Sequence, residues 1–241
     1  NGRVADAGRF IREAIRTFAE MAMPKELLAG LALLCQIYIR MGNEEEAARL
    51  LEYLQQEYHR KKAVSKGLIP LTLAKGDYYL KHPQTQLYLS EAFQIYLWDS
   101  NIKGMAIVLT EMLLRFKGIE SEAYVRHYYN TFEGYAENAN GHAEFRALVR
   151  LTALAQGSSW VSYEQAPNSA DLEQLPIYFR AWAAILIQAV NRRTFAHGLA
   201  ISPLAFPEYE GEDLSIHILR QAYASSTGMA LESAPLKGRM T

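Results

Sequence analysis

The sequence predicts an all-α protein, an α-solenoid of antiparallel helical hairpins, and three observations lead there. Apolar residues recur at helical spacing through most of the chain. Paired helical segments are separated by short breaks carrying Gly or Pro, near 41–43, 82–83 and 117–118. The pairs follow one another directly, with no plausible strand between them, as in stacks of hairpins that share one continuous core.

The clearest unit is 31–54, LALLCQIYIRMGNEEEAARLLEYL. Leu31, Leu34 and Tyr38 mark one helical face before the turn at Met41-Gly42-Asn43, and Ala47, Leu50, Leu51 and Leu54 mark another after it. Asn43 is the expected N-cap. Glu44, Glu45 and Glu46 fall in the first turn, where unpaired amides and the helix dipole favour negative charge. The full hairpin is expected over 26–41 and 44–61, and the basic run His59-Arg60-Lys61-Lys62 complements the dipole at its end. Ahead of it, 9–22 is amphipathic with Phe10, Ala14, Phe18 and Met21 on one side, and Pro24 ends it. That helix reads as the second half of a hairpin. The chain is therefore expected to be part of a longer one or to begin on a residual cap, an irregular first helix being the alternative.

A second hairpin is expected over 66–81 and 86–99, broken at His82-Pro83. Leu73, Gly76 and Tyr79 share a side of its first helix, and Leu89, Ala92, Phe93 and Tyr96 pack its second. A third spans 102–116 and 120–138 around Lys117-Gly118. Beyond it, 142–156 is one more amphipathic helix ended by Gly157, and 158–169 is loop-like. Residues 178–190, within a segment running over 171–193, are apolar nearly all round and are expected to be buried, with Pro176 in the first turn. Pro203, Pro207 and Gly211 oppose regular structure over 201–212. A last helix is expected over 213–225, before a polar, mobile tail. The organisation read here is hairpins over 1–140 and further divergent hairpins over 141–241, packed on the same solenoid.

These hairpins resemble the tetratricopeptide repeat. The first carries the repeat's pattern of large, small, aromatic and glycine positions in Leu31, Leu34, Cys35, Tyr38, Gly42, Ala47 and Leu51. The third matches in part, with Ile107, Leu114, Gly118 and Ala123. The second has Gly76 and Tyr79 but Pro83 where the turn residue belongs, and the step from Tyr38 to Tyr79 exceeds the usual ~34-residue period. The likeness, over roughly residues 9–138, is to a divergent, long-period variant such as the sensor domains of MalT-like regulators or anaphase-promoting-complex repeats. It implies a superhelix whose first helices line a concave groove. The outward groove positions are then Gln36 and Arg40, Asp77 and Lys81, Met112 and Arg115. Repeats that clamp a chaperone's C-terminal carboxylate use lysine, asparagine and arginine at set positions. Ala32, Gln36, Ala74, Met105 and Leu109 stand there instead, so that clamp is absent.

Composition narrows the function further. Across 241 residues the formal net charge is −1, which gives no strong field to steer nucleic acid or an acidic membrane. No apolar run reaches spanning length. The one cysteine, Cys35, rules out an internal disulfide and a cysteine-based zinc site, and no Asn-x-Ser/Thr sequon occurs; a cytoplasmic or other intracellular reducing compartment is expected. His142-Ala143-Glu144 has the H-x-E shape of a zinc deaminase but lacks the accompanying P-C-x-x-C. No phosphate-binding glycine loop or nucleophile elbow is present. The 15 tyrosines, doubled at Tyr78-Tyr79 and Tyr128-Tyr129, fill space between helices or face a partner. The expectation is a scaffold without enzymatic activity or cofactor, binding another protein or peptide segment within a larger protein or complex. The rival is a ligand-sensing domain of a transcription regulator. A third reading, an enzyme using the loops at 158–167 or 202–211, has no catalytic constellation behind it.

Overall fold

The computed structural model describes residues 4–60, 66–80, 84–116, 119–138, 142–194 and 201–204. These residues are all-helical, with ten α-helices and no strand among them. The helix expected over 213–225, the tail and Lys81 lie outside the described residues, as do the side chains of Asp77 to Leu80.

The helices are α1 (Val4–Glu20), α2 (Pro24–Met41), α3 (Glu44–Arg60), α4 (Leu68–Leu80) and α5 (Thr85–Trp98), followed by α6 (Ile102–Arg115), α7 (Ile119–Asn138), α8 (Ala143–Gln156), α9 (Ser169–Glu173) and α10 (Ile177–Thr194). Their ends follow from local chemistry. Gly42 adopts φ +70, a left-handed conformation that closes α2 as its N–H donates back to the carbonyl of Ile39. The Asn43 side chain then accepts the Glu46 N–H at the head of α3. Asn101 does the same for Gly104 at the head of α6, at 2.8 Å. Pro24 opens α2 as well as closing the segment before it, since the first helical turn needs no N–H there.

Each helix packs on its neighbour in the chain up to α7, and longer steps join α2 to α4, α6 to α8 and α8 to α10. Small residues set the close approaches. A Cβ on Gly76 would lie 2.4 Å from the Leu51 side chain, so α4 sits against α3 only because that position is glycine. The Tyr96 ring occupies the corresponding place over Gly104. The shared core runs from Ala32 and Cys35 through Leu51, Leu89, Phe93, Met105, Leu109 and Phe132 to Leu148 and Leu186. Each fully buried Leu or Phe stabilises by about 1.5–3 kcal/mol relative to exposure.

Two expectations are corrected. Residues 158–169 contain a 3-10 turn (Tyr163–Gln165), and α9 begins at Ser169; Ser162 and Asn168 accept the N–H groups of Glu164 and Ala170. These turns are too short for periodicity to reveal. On α1 the apolar stripe is only half covered: Ile15 and Phe18 pack on Gly30 of α2, while Phe10 and Met21 are exposed. α2 is the one helix packed extensively on α1.

Candidate functional site

Polar side chains are scarce in this core, and three of the buried ones, Gln36, Thr72 and Glu111, belong to one strip. Gln36 and Arg40 stand one turn apart on α2, Thr72 and Lys75 on α4, Glu111 and Arg115 on α6, and Tyr178 and Trp182 on α10. Gln36 Nε2 donates to Thr72 Oγ1 at 2.7 Å, and Thr72 Oγ1 donates to the Leu68 carbonyl. Lys75 Nζ lies 3.3 Å from Glu111 Oε1, and Arg115 Nε donates to Glu111 Oε2 at 3.2 Å. The Arg40 guanidinium sits over the Tyr178 ring, 4.0 Å from its centre, a contact that ties α2 to α10.

The electrostatics of the strip are unbalanced. Burial pushes the Glu111 carboxyl up, but Lys75 and Arg115 outweigh it and hold it below its ordinary value. Burial pushes the Lys75 ammonium down; Glu111 opposes this, and the positive charges of Arg40 and Arg115 add to it. Glu111 thus pairs with Lys75 and Arg115, while Arg40 lies close enough to Lys75 to disfavour its charge. Among the described residues Arg40 has no hydrogen bond or ion pair, only its ring contact. The indole Nε1 of Trp182, 5 % exposed and packed 5.5 Å from Tyr178, is a buried donor without an acceptor. Trp160 Nε1 and Arg180 Nε are two others.

Of the residues expected to face outward in the groove, Gln36 is instead buried and bonded to Thr72, while Arg40 and Arg115 are half-buried, against Tyr178 and Glu111. Met112 is fully buried in the core and presents no surface, one helical step from Glu111, which occupies the inner position. Asp77 and Lys81 fall outside what is described. Sequence reasoning missed Thr72, Lys75, Glu111, Tyr178 and Trp182. A signal for some of them was present: Thr72 follows Gln36 at a spacing of 36 residues, and the same step leads from Lys75 to Glu111.

A second ionic cluster joins α7 to α8. Glu133 accepts from Arg146 Nε at 2.7 Å and from Arg150 through two nitrogens, at 3.0 and 2.7 Å. Burial pushes its carboxyl up, the two arginines outweigh that, and the result lies below the ordinary value. Nearby, burial pushes the Tyr129 hydroxyl up to about 12.

Two residues with potential chemistry are accounted for by packing. Cys35 is fully buried, with its thiol 3.7 Å from the Ala47 carbonyl, and burial pushes its pKa up to about 12, far from the thiolate a nucleophile needs. His142 Nδ1 lies 3.7 Å from Glu144, yet no group of three His, Cys, Asp or Glu among the described residues is placed to hold a metal ion. None of the described helices is long and apolar enough to cross a membrane. No family model, curated protein or solved structure matches the chain.

Proposed function

We propose that the chain is a helical-repeat interaction module: a tetratricopeptide-like α-solenoid that holds another protein or peptide segment on its inner face, without chemistry of its own. Residues 141–241 continue the stack begun by 1–140, a reading supported by the packing of α8 on α6 and of α10 on α8. A repeat register is supported by the side-chain hydrogen bonds between hairpins. Tyr58 to Glu91, Ser90 to Tyr124, Gln36 to Thr72 and Ser159 to Glu122 span 33, 34, 36 and 37 residues, close to one repeat. A reducing intracellular compartment accords with the single buried thiol.

The observation that carries the function is the strip itself. Four helices each contribute two residues to one line joined by hydrogen bonds, an ion pair and ring contacts, of which Arg40 and Arg115 are half-buried. Repeat scaffolds use such a line to hold an extended segment. The test is quantitative affinity capture with the purified chain as bait, from extracts of cells that express it. The proposal expects specific partners whose recovery falls at least about tenfold with Arg40→Glu, a loss of ~1.4 kcal/mol or more. Equal recovery by both baits overturns it.

The rival sensor function has one observation in its favour, the orphaned indole N–H of Trp182 in a buried aromatic setting. A small molecule supplying the acceptor would raise the melting temperature of the isolated chain, because it binds only the folded state.

A further inference from the structure

We propose that the cluster of Arg40, Lys75, Arg115 and Tyr178 is a receptor for a carboxylate of an acidic polypeptide segment, and that Arg40 is the residue that grips it. The inference rests on the interaction-module reading and names the chemistry of its partner.

The cluster is oversupplied with donors. Glu111 pairs with Lys75 through one oxygen and with Arg115 through the other, and no hydrogen bond or ion pair joins it to Arg40. The Arg40 guanidinium is nonetheless held in place by its stacking on Tyr178 at 4.0 Å. Stacking engages the face of the guanidinium and leaves its in-plane N–H edge available, and that edge matches a carboxylate through two parallel hydrogen bonds. One turn along α10, Trp182 adds a buried N–H with no acceptor. Arg40 and Arg115 both flank Lys75, and Glu111 is the carboxylate paired with the group, a surplus of basic over acidic side chains on a chain of formal net charge −1. The surplus is therefore local to this strip. An incoming carboxylate supplies the missing acceptor and lowers the repulsion among Arg40, Lys75 and Arg115. A polypeptide fits better than a free anion because it can bring a second acidic side chain to Arg115, 27 % exposed in the same cluster.

The experiment is fluorescence anisotropy of a labelled deca-glutamate peptide with the full chain, with acetate and inorganic phosphate as competitors. Wild type should bind the peptide, and Arg40→Met, which keeps an apolar stem on Tyr178, should weaken binding at least about tenfold. Arg40→Lys keeps the charge without the planar fork and should fall between the two, deciding the matter if the Met variant is poorly folded. Arg49→Met, on the exposed side of α3, should bind as wild type does. The proposal is overturned by no binding, by equal binding of wild type and the Arg40 variants, or by an equal loss with Arg49→Met. It is also overturned if phosphate displaces the peptide where acetate at the same concentration does not, which marks a free-anion site. Absent peptide binding alongside Arg40-dependent partner capture removes this inference alone. Peptide binding without any captured partner removes the interaction-module reading instead.

Discussion

The two buried ionic clusters are built from the same parts and end in different states. At the α7–α8 junction, Glu133 receives three hydrogen bonds from Arg146 and Arg150, and each arginine has its carboxylate partner. On the polar strip, Glu111 pairs with Lys75 and Arg115, while Arg40, beside Lys75, has no hydrogen bond or ion pair among the described residues. The first cluster is complete within the chain and acts as a clamp between helices. The second leaves the half-buried Arg40 without a partner in the chain beyond its ring contact, the place the proposed carboxylate would take. Satisfied polar groups stabilise a fold, whereas an oriented and unsatisfied donor is a feature of recognition.

The sharpest way to break this contrast is Glu111→Gln. Removing the carboxylate leaves the largely buried Lys75 between Arg40 and Arg115 without its counter-charge, and stability should fall by about 3–5 kcal/mol. Urea unfolding with an unchanged m-value is the measurement. Glu133→Gln should cost less, about 1.5–3 kcal/mol, because its arginines are partly exposed and can turn to water. The pH dependence of that gap follows from the sign of the shift. Glu133 is held below its ordinary value, so its contribution is full above the unfolded carboxyl pKa of about 4.3 and is lost as pH falls through the folded value. The wild-type advantage over Glu133→Gln should therefore shrink in acid, as thermal melts below about pH 4 would show.

Gly76→Ala drives a methyl into Leu51 and should cost about 1–3 kcal/mol, read from the urea midpoint. Smallest of all, Arg40→Met should change stability by no more than about 1 kcal/mol, the size of one cation–π contact. That ordering matters. A purely structural Arg40 would behave like Glu133, with its effect in the melt; a recognition residue shows its effect in binding.

Much of the scaffold was legible because helical periodicity and punctuation are local. Gly42 and Asn43 announced a turn and a cap, and both residues perform those roles. The largely apolar stretch over 178–190 is buried, apart from half-buried Arg180 and exposed Gln188. The strip was legible only in part. Arg40 and Arg115 were named from the register of α2 and α6, but Gln36 and Met112, expected to face outward with them, are buried, a difference of helix rotation. Single-helix periodicity cannot fix such a rotation, since each residue flanks the apolar stripe of its own helix. Tyr178 escaped for a different reason: its partner Arg40 is far away in sequence and joins it only through the course of the stack.

The most direct test of the inner face as the working surface is paired affinity capture with Arg40→Glu and Glu45→Arg, each a charge reversal, one on the strip and one on the exposed head of α3. The account predicts that Arg40→Glu loses the specific partners and Glu45→Arg retains them. Retention by both, or equal loss by both, would contradict it.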